Sequence, residues 1–233
     1  MARPNKNFGP KKEALTRLAF DLFIEQGYEN TTITQIMKAA GITKAGMYHY
    51  FSSKEDILDA AIDYGVSRDI EKIQKDMRLL KSVEERMLLF IQGNVIPNEF
   101  MQKLLQLKQH NQDSYAAYRI RERLIHANIP IMASILEEGI EQGVYRTQFP
   151  HQTAEFVVLC AKALVEPNIL PMANHDDLKL RVQVYLQLMD KWLNPNPEHM
   201  KEIVALFEKI LSEVHKQEIK LRESMVWNEE RQI

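Results

Sequence analysis

Apolar side chains recur at helical spacing along almost the whole chain, and strand-like alternation never extends beyond a few residues. The first apolar stripe ends just before Gly27, a residue typical of a helix C-cap. Two short helices are then predicted over 34–40 and 44–51, separated by a turn at Gly41 and Ile42. The pattern therefore predicts an all-α fold that begins with one helix and a helix-turn-helix pair.

Cap signals divide the rest of the chain into longer helices. Ser52 with Glu55, and Ser82 with Glu85, have the spacing of a capping box, and each pair is predicted to open a helix. Pro130 suits the first turn of another helix. The further predicted helices cover 99–110, 114–127, 129–142, 151–164, 176–193 and 198–224.

Charge separates a basic head from an acidic body. Residues 1–54 hold eight Lys/Arg and four Asp/Glu, whereas the whole chain of 233 residues has a net charge of -2. Such an asymmetry favours a head that meets a polyanion. We predict a helix-turn-helix domain over 1–54 and a larger helical-bundle domain over 55–233. The head begins with a basic N-terminal arm that contains Arg3, Lys6, Lys11 and Lys12.

Composition argues against several other classes of protein. No apolar run approaches the roughly 18 residues that a membrane helix needs, so we expect no membrane partner. The N-terminus lacks a secretory signal and Cys160 is the single cysteine, which favours a reducing cytoplasm. The seven histidines are scattered, and the chain has neither a Cys-x-x-Cys pair nor a glycine-rich phosphate loop. We therefore predict no cofactor, no metal and no catalytic residue; the alternative for the metal is an effector ion bound by residues that the fold assembles from distant positions.

The second short helix has a face suited to DNA. At 100° per residue Met47 and Phe51 share an apolar face, and the outward side carries no carboxylate. Small residues there allow close approach to a groove, and Lys, His and Tyr donors can bond phosphates or base edges. The candidates are Lys44, Ala45, Gly46, Tyr48, His49 and Tyr50, with Thr32, Thr34 and Lys54 beside a phosphate backbone. The alternative is that the rings simply pack on neighbouring helices.

Residues 11–60 closely resemble the tetracycline-repressor (TetR) family of bacterial transcriptional regulators. The matching residues are Gly27-Tyr28, Thr31-Thr32, Ile36, the run from Ala40 to Phe51, and the run from Ser53 to Leu58. The chain departs from the pattern at Met37 and at Ala45-Gly46, where glycine comes one residue late and the bases touched can differ.

The resemblance implies a homodimer on double-stranded DNA with a palindromic operator, each protomer placing the helix 44–51 in a major groove. It also implies DNA contacts by Thr32, Thr43, Lys44, Tyr48, His49, Tyr50 and Lys54.

The resemblance further implies that the body binds a small effector and forms the dimer interface. On predicted helices 151–164 and 176–193 the interface candidates are Phe156, Cys160, Leu164, Val184, Leu188 and Trp192. Candidates for the effector pocket are Met87, Ile91, Phe100, Leu104, Tyr115, Tyr118, Arg119 and His126. The alternative for both sets is an ordinary place in the protomer's core or on its surface.

These features predict a ligand-responsive transcriptional regulator, chiefly a repressor released by an unknown small molecule. One alternative is a DNA-binding regulator or architectural protein of the same fold without an effector. A second alternative, an enzyme, is disfavoured because the sequence shows no convergent set of titratable residues.

Overall fold

A computed structural model describes residues 8–95, 115–165 and 174–229, and these ranges contain nine α-helices and no strand. The all-α prediction is thereby confirmed. The helices are α1 (Phe8–Gln26), α2 (Ile33–Ala40), α3 (Lys44–Tyr48), α4 (Lys54–Met77), α5 (Val83–Val95), α6 (Tyr115–Glu141), α7 (Pro150–Val165), α8 (His175–Leu193) and α9 (Pro197–Glu229). The predicted helix 99–110 lies outside the described residues.

The described residues form two compact units, each with its own core. The first unit takes in 8–75 and 115–128, and the second takes in 76–95, 129–165 and 174–229. The first core joins α1, α2 and α3 to the start of α4, where Ile57 and Leu58 are buried, and to Ile120 and Leu124 of α6. This core therefore continues past residue 54, and the functional division at that residue stays a prediction.

Helix α6 is continuous through Pro130, so the prediction of separate helices over 114–127 and 129–142 is wrong. A proline inside a helix costs about 3 kcal/mol because it lacks an N–H and crowds the preceding turn. The following residues Ile131, Met132, Ile135 and Leu136 are all buried. Burial of each such side chain stabilises the fold by about 1.5–3 kcal/mol, which outweighs the cost of the proline.

The cap of α4 lies one residue later than predicted. The Ser53 hydroxyl oxygen accepts a hydrogen bond from the Asp56 amide at 3.1 Å, and the Ser52 amide donates to the Asp56 carboxylate at 2.8 Å. A short acidic side chain at the third helical position has the role predicted for the neighbouring Glu55.

The second predicted capping box is confirmed. The Glu85 amide donates to the Ser82 hydroxyl at 3.1 Å, and the Ser82 amide donates to the Glu85 carboxylate at 3.1 Å. The Ser82 and Lys81 amides both donate to the Glu85 carboxylate, and they lower the pKa of Glu85 because they bond its charged form.

The second unit contains a buried polar pair. The Tyr145 hydroxyl lies 2.9 Å from Nε2 of His199, and both side chains are almost fully buried. Gly139 makes room for the Tyr145 ring, because a Cβ at this position would overlap it. Among the described residues of both units, no helix is both long and apolar enough to cross a bilayer.

Candidate nucleic-acid interface

Hydrogen bonds at their ends fix where the two short helices begin. Thr32 caps α2: its hydroxyl oxygen accepts from the Gln35 amide at 3.2 Å, and its own amide donates to Gln35 Oε1 at 2.7 Å. Thr43 caps α3, because its hydroxyl oxygen accepts from the Gly46 amide at 3.2 Å. Gly41 ends α2 with a φ of 63°, in the left-handed region that favours glycine.

One face of α2 and α3 is buried in the first core. Ile36, Met47 and Phe51 are at most 2% exposed, and Ile33 and Ile42 pack partly against the same core. This confirms the predicted inner face. The ordered helix α3 is shorter than the predicted 44–51, because it ends at Tyr48 and the chain then turns to bury Phe51.

The ten candidate DNA-binding residues lie on α2, α3, their caps and the start of α4. Seven are exposed, namely Thr32, Thr34, Thr43, Lys44, Ala45, Tyr48 and His49, and three are half-buried, namely Gly46, Tyr50 and Lys54. The chain has no Asp or Glu between Glu29 and Glu55. This stretch therefore presents hydroxyl and cationic groups without a carboxylate of its own that would repel phosphate.

The three consecutive rings have different environments. Tyr48 is 48% exposed, and the Lys44 ammonium lies 6.0 Å from its ring centroid. Tyr50 packs partly against the first core, and its ring meets the exposed His49 ring edge to face at 5.1 Å. Tyr48 and His49 are thus better placed to contact DNA than Tyr50, because part of the Tyr50 side chain packs against the core.

The two capping threonines differ in what their hydroxyl groups can offer a phosphate. The Thr32 hydroxyl donates to Gln35 Oε1 at 2.8 Å, so a phosphate contact through that proton would have to replace this bond. The Thr43 oxygen acts as an acceptor in its cap, so its proton can point toward a phosphate oxygen.

Two lysines beside this surface pack over aromatic rings. Lys54 Nζ lies 4.2 Å from the Tyr28 centroid, and Lys12 Nζ lies 5.1 Å from the Phe51 centroid. Lys11 and Lys12 belong to α1, so the prediction of an arm is wrong for these two residues, while Arg3 and Lys6 lie outside the described residues. Lys12 and Phe51 are far apart in the sequence, so the sequence pattern did not predict their contact.

An apolar cavity of about 20 Å³ lies within the second unit. Asn94 and Lys162 contribute polar groups to a lining that consists otherwise of Phe90, Ile91, Met132, Val157, Val158, Ala161, Tyr185 and Phe207. The predicted candidate Ile91 is in this lining. Burial raises the pKa of Tyr185, whose hydroxyl donates to the Val157 carbonyl at 3.1 Å.

The other described candidates for the effector pocket do not line this cavity. Met87 is fully buried in the second unit. Tyr118, Arg119 and His126 belong to the first unit, where Arg119 forms ion pairs with Asp59 and Glu122. Phe100 and Leu104, together with the side chain of Tyr115, lie outside the described residues.

Helices α7 and α8 share an unusually exposed apolar surface. Phe156 and Val184 are 58% and 55% exposed, and Leu159 and Leu180 are exposed as well. We call these four side chains the α7–α8 face. Half-buried Trp192 lies beside it, with its ring centroid 6.3 Å from that of Phe156. Of the other interface candidates, Cys160 and Leu188 are half-buried, whereas Leu164 is buried in the unit.

Comparison with known proteins places the described surface in a family. The family model for bacterial regulatory proteins of the tetR family matches residues 15–61, which include α2 and α3. The "Fatty acid metabolism regulator protein" of Bacillus subtilis is 27% identical over 139 residues, or 58% of this chain and 70% of that protein.

Two further proteins are similar, one over a shorter stretch of sequence and the other in fold alone. The negative transcriptional regulator IcaR of the biofilm operon in Staphylococcus aureus is 37% identical over 51 residues, 22% of this chain and 27% of that protein. A crystal structure of a TetR-family transcriptional regulator from Pectobacterium atrosepticum shares the fold. Its TM-score is 0.58 at 16% identity, over 82% of this chain and 98% of that chain.

The two short helices are capped, bury their inner face and carry no carboxylate on their outer face. Together with the family match, these features define a DNA-binding transcriptional regulator of the helix-turn-helix class. Over residues 15–61 the chain matches the TetR family of bacterial regulatory proteins.

We expect substitutions at His49 and Lys54 to affect DNA binding in different ways. Lys54→Met removes a point charge, so affinity should fall on all sequences and the slope of log affinity against log salt should decrease by about one per protomer. His49→Ala should leave that slope nearly unchanged and alter the preferred bases. Binding isotherms at four salt concentrations on several duplexes separate the two effects. Unchanged affinity in both variants would mean that this surface does not meet DNA.

Proposed function

We propose that the protein is a repressor that binds a palindromic operator as a homodimer and is released from it by a small-molecule effector. The observation that carries this proposal is a carboxylate-free helix-turn-helix surface in the first unit of a chain whose second unit contains an apolar cavity. The negative regulation named for the staphylococcal relative supports the sign of the effect.

The α7–α8 face supports the homodimer. Large apolar side chains left in water at neighbouring positions are typical of a surface that another protein covers. A second copy of the same face would bury Phe156 and Val184 from both protomers around a two-fold axis. Such an axis gives half-sites about one DNA turn apart, or a small multiple of it.

The cavity supports the effector. A space of about 20 Å³ holds about one water molecule, so an organic effector would have to bind a state in which the lining has opened. A ligand that binds the opened state more tightly shifts the population toward it. Release from the operator follows if the opened state binds DNA less tightly.

The lining also indicates which effectors to try first. Its apolar side chains suit a hydrocarbon body, and Lys162 offers a cation to an anionic end. The similarity to a protein named for fatty acid metabolism points to the same class, an acid with a long alkyl chain. We place the protein in the cytoplasm, where its operator is accessible, and assign it no enzymatic activity.

We expect Val184→Glu to weaken the dimer at least about tenfold, because the partner would bury an unpaired carboxylate. Val184 is exposed, so the isolated protomer should fold. Sedimentation velocity and operator titration measure the two consequences: a smaller species and weaker binding. Gln183→Glu is the control, since it adds the same charge to an exposed position about 100° away around α8. A Val184→Glu protein that stays dimeric would exclude the α7–α8 face as the interface.

We expect a long-chain fatty acid to lower affinity for an operator selected from random duplexes. Lys162→Met should weaken the response to the acid by about tenfold, because it removes a charge-assisted hydrogen bond, and should spare the response to the matching fatty alcohol. Fluorescence anisotropy of labelled operator measures both. An acid that binds the protein without changing operator affinity would contradict release by this class of ligand. If no ligand acts, the alternative of a regulator without an effector is favoured.

A further inference from the structure

Lys54 begins α4, and its side chain is held by two contacts of different kinds. Its ammonium lies 4.2 Å from the centroid of the Tyr28 ring, within the range of a cation–π interaction. The same nitrogen donates to the backbone carbonyl of Glu29 at 3.4 Å. An ammonium has three N–H donors, so the bond to Glu29 leaves donors for a phosphate oxygen.

The Tyr28 ring is itself fixed from two sides. It meets Phe23 edge to face at a centroid distance of 5.3 Å, and Phe23 is fully buried. The pKa of Glu55, in the same first turn of α4 as Lys54, is lowered by its backbone amide, by the Ser53 hydroxyl and, to a smaller extent, by the Tyr28 hydroxyl. The ring therefore links the end of α1 to the start of α4.

A lysine side chain is long and flexible, and ordering it on binding costs conformational entropy. A ring that already holds the ammonium in one region removes part of this cost before DNA arrives. A carboxylate partner would neutralise the ammonium. The cation–π attraction instead keeps the ammonium in place and leaves its positive charge available to a phosphate.

We propose that Tyr28 is a positioning residue for DNA binding, whose ring holds the Lys54 ammonium where the operator's phosphate backbone passes. This inference rests on the proposed phosphate contact of Lys54. Tyr28 needs no contact with DNA and acts through the lysine.

The first test compares two substitutions at the same ring. Tyr28→Phe keeps the ring and its contact with Phe23, so operator affinity and salt slope should stay close to those of the unmodified protein. Tyr28→Leu removes the ring, and operator affinity should fall about fivefold to twentyfold for the two protomers of a bound dimer. The salt slope should fall with it, which the loss of ordinary packing would not cause.

A double-mutant cycle separates this inference from the proposed function. If Tyr28 acts through Lys54, Tyr28→Leu should cost little further affinity once Lys54→Met is present. Equal losses in both backgrounds would overturn the positioning role. An unchanged salt slope in Lys54→Met alone would instead show that Lys54 does not contact phosphate, and the proposed docking would fail first.

A second variant keeps the test informative if Tyr28→Leu does not fold. Incorporating trifluorinated phenylalanine at position 28 keeps the ring shape and weakens the negative charge of its face. Compared with Tyr28→Phe, it should lower the salt slope and the operator affinity, with the thermal midpoint unchanged. Identical binding by these two variants would exclude a cation–π role for the ring.

Discussion

The burial of Ile36, Met47 and Phe51 in one core is the constraint on which the candidate DNA-binding surface depends. Helices of eight and five residues are too short to persist alone in water. Burying each of these side chains stabilises the fold by about 1.5–3 kcal/mol, and the same burial decides which side of α3 turns outward. The orientation of the surface that we propose to read DNA is thus a consequence of what the opposite side packs against.

The helices and the outward face of α3 were accessible from sequence because they depend on local signals. Each of these signals depends only on residues a few positions apart: the period of the apolar side chains, the capping pair Ser82 and Glu85, and the turn at Gly41. The prediction of a helix boundary at Pro130 was wrong because proline is a helix breaker when only the local sequence is considered. The burial of the residues that follow it, which stabilises the continuous helix, is visible only in the fold. The α4 cap lies one residue later than predicted because Ser52 and Ser53 are adjacent, and a serine at either position is suited to cap a helix.

The rest of the candidate sites depends on contacts between residues far apart in the chain. Tyr28 and Lys54 are separated by 26 positions, and no periodic pattern links them. The cavity is lined by side chains from five helices of the second unit, α5 to α9, and helical spacing within one helix does not show which residues of the others meet there. Exposure of Phe156 and Val184 likewise required coordinates, because an apolar stripe has the same sequence whether it faces a core or a partner.

Selection of bound duplexes from a random DNA library by the purified protein tests the central claim most directly. We expect a palindrome with half-sites about one helical turn apart, or a small multiple of it, because a two-fold dimer presents two copies of α3. The same selection with His49→Ala should change bases within the half-site and keep the spacing. A well-folded protein that enriches no sequence would contradict a sequence-specific dimer that reads DNA through α3.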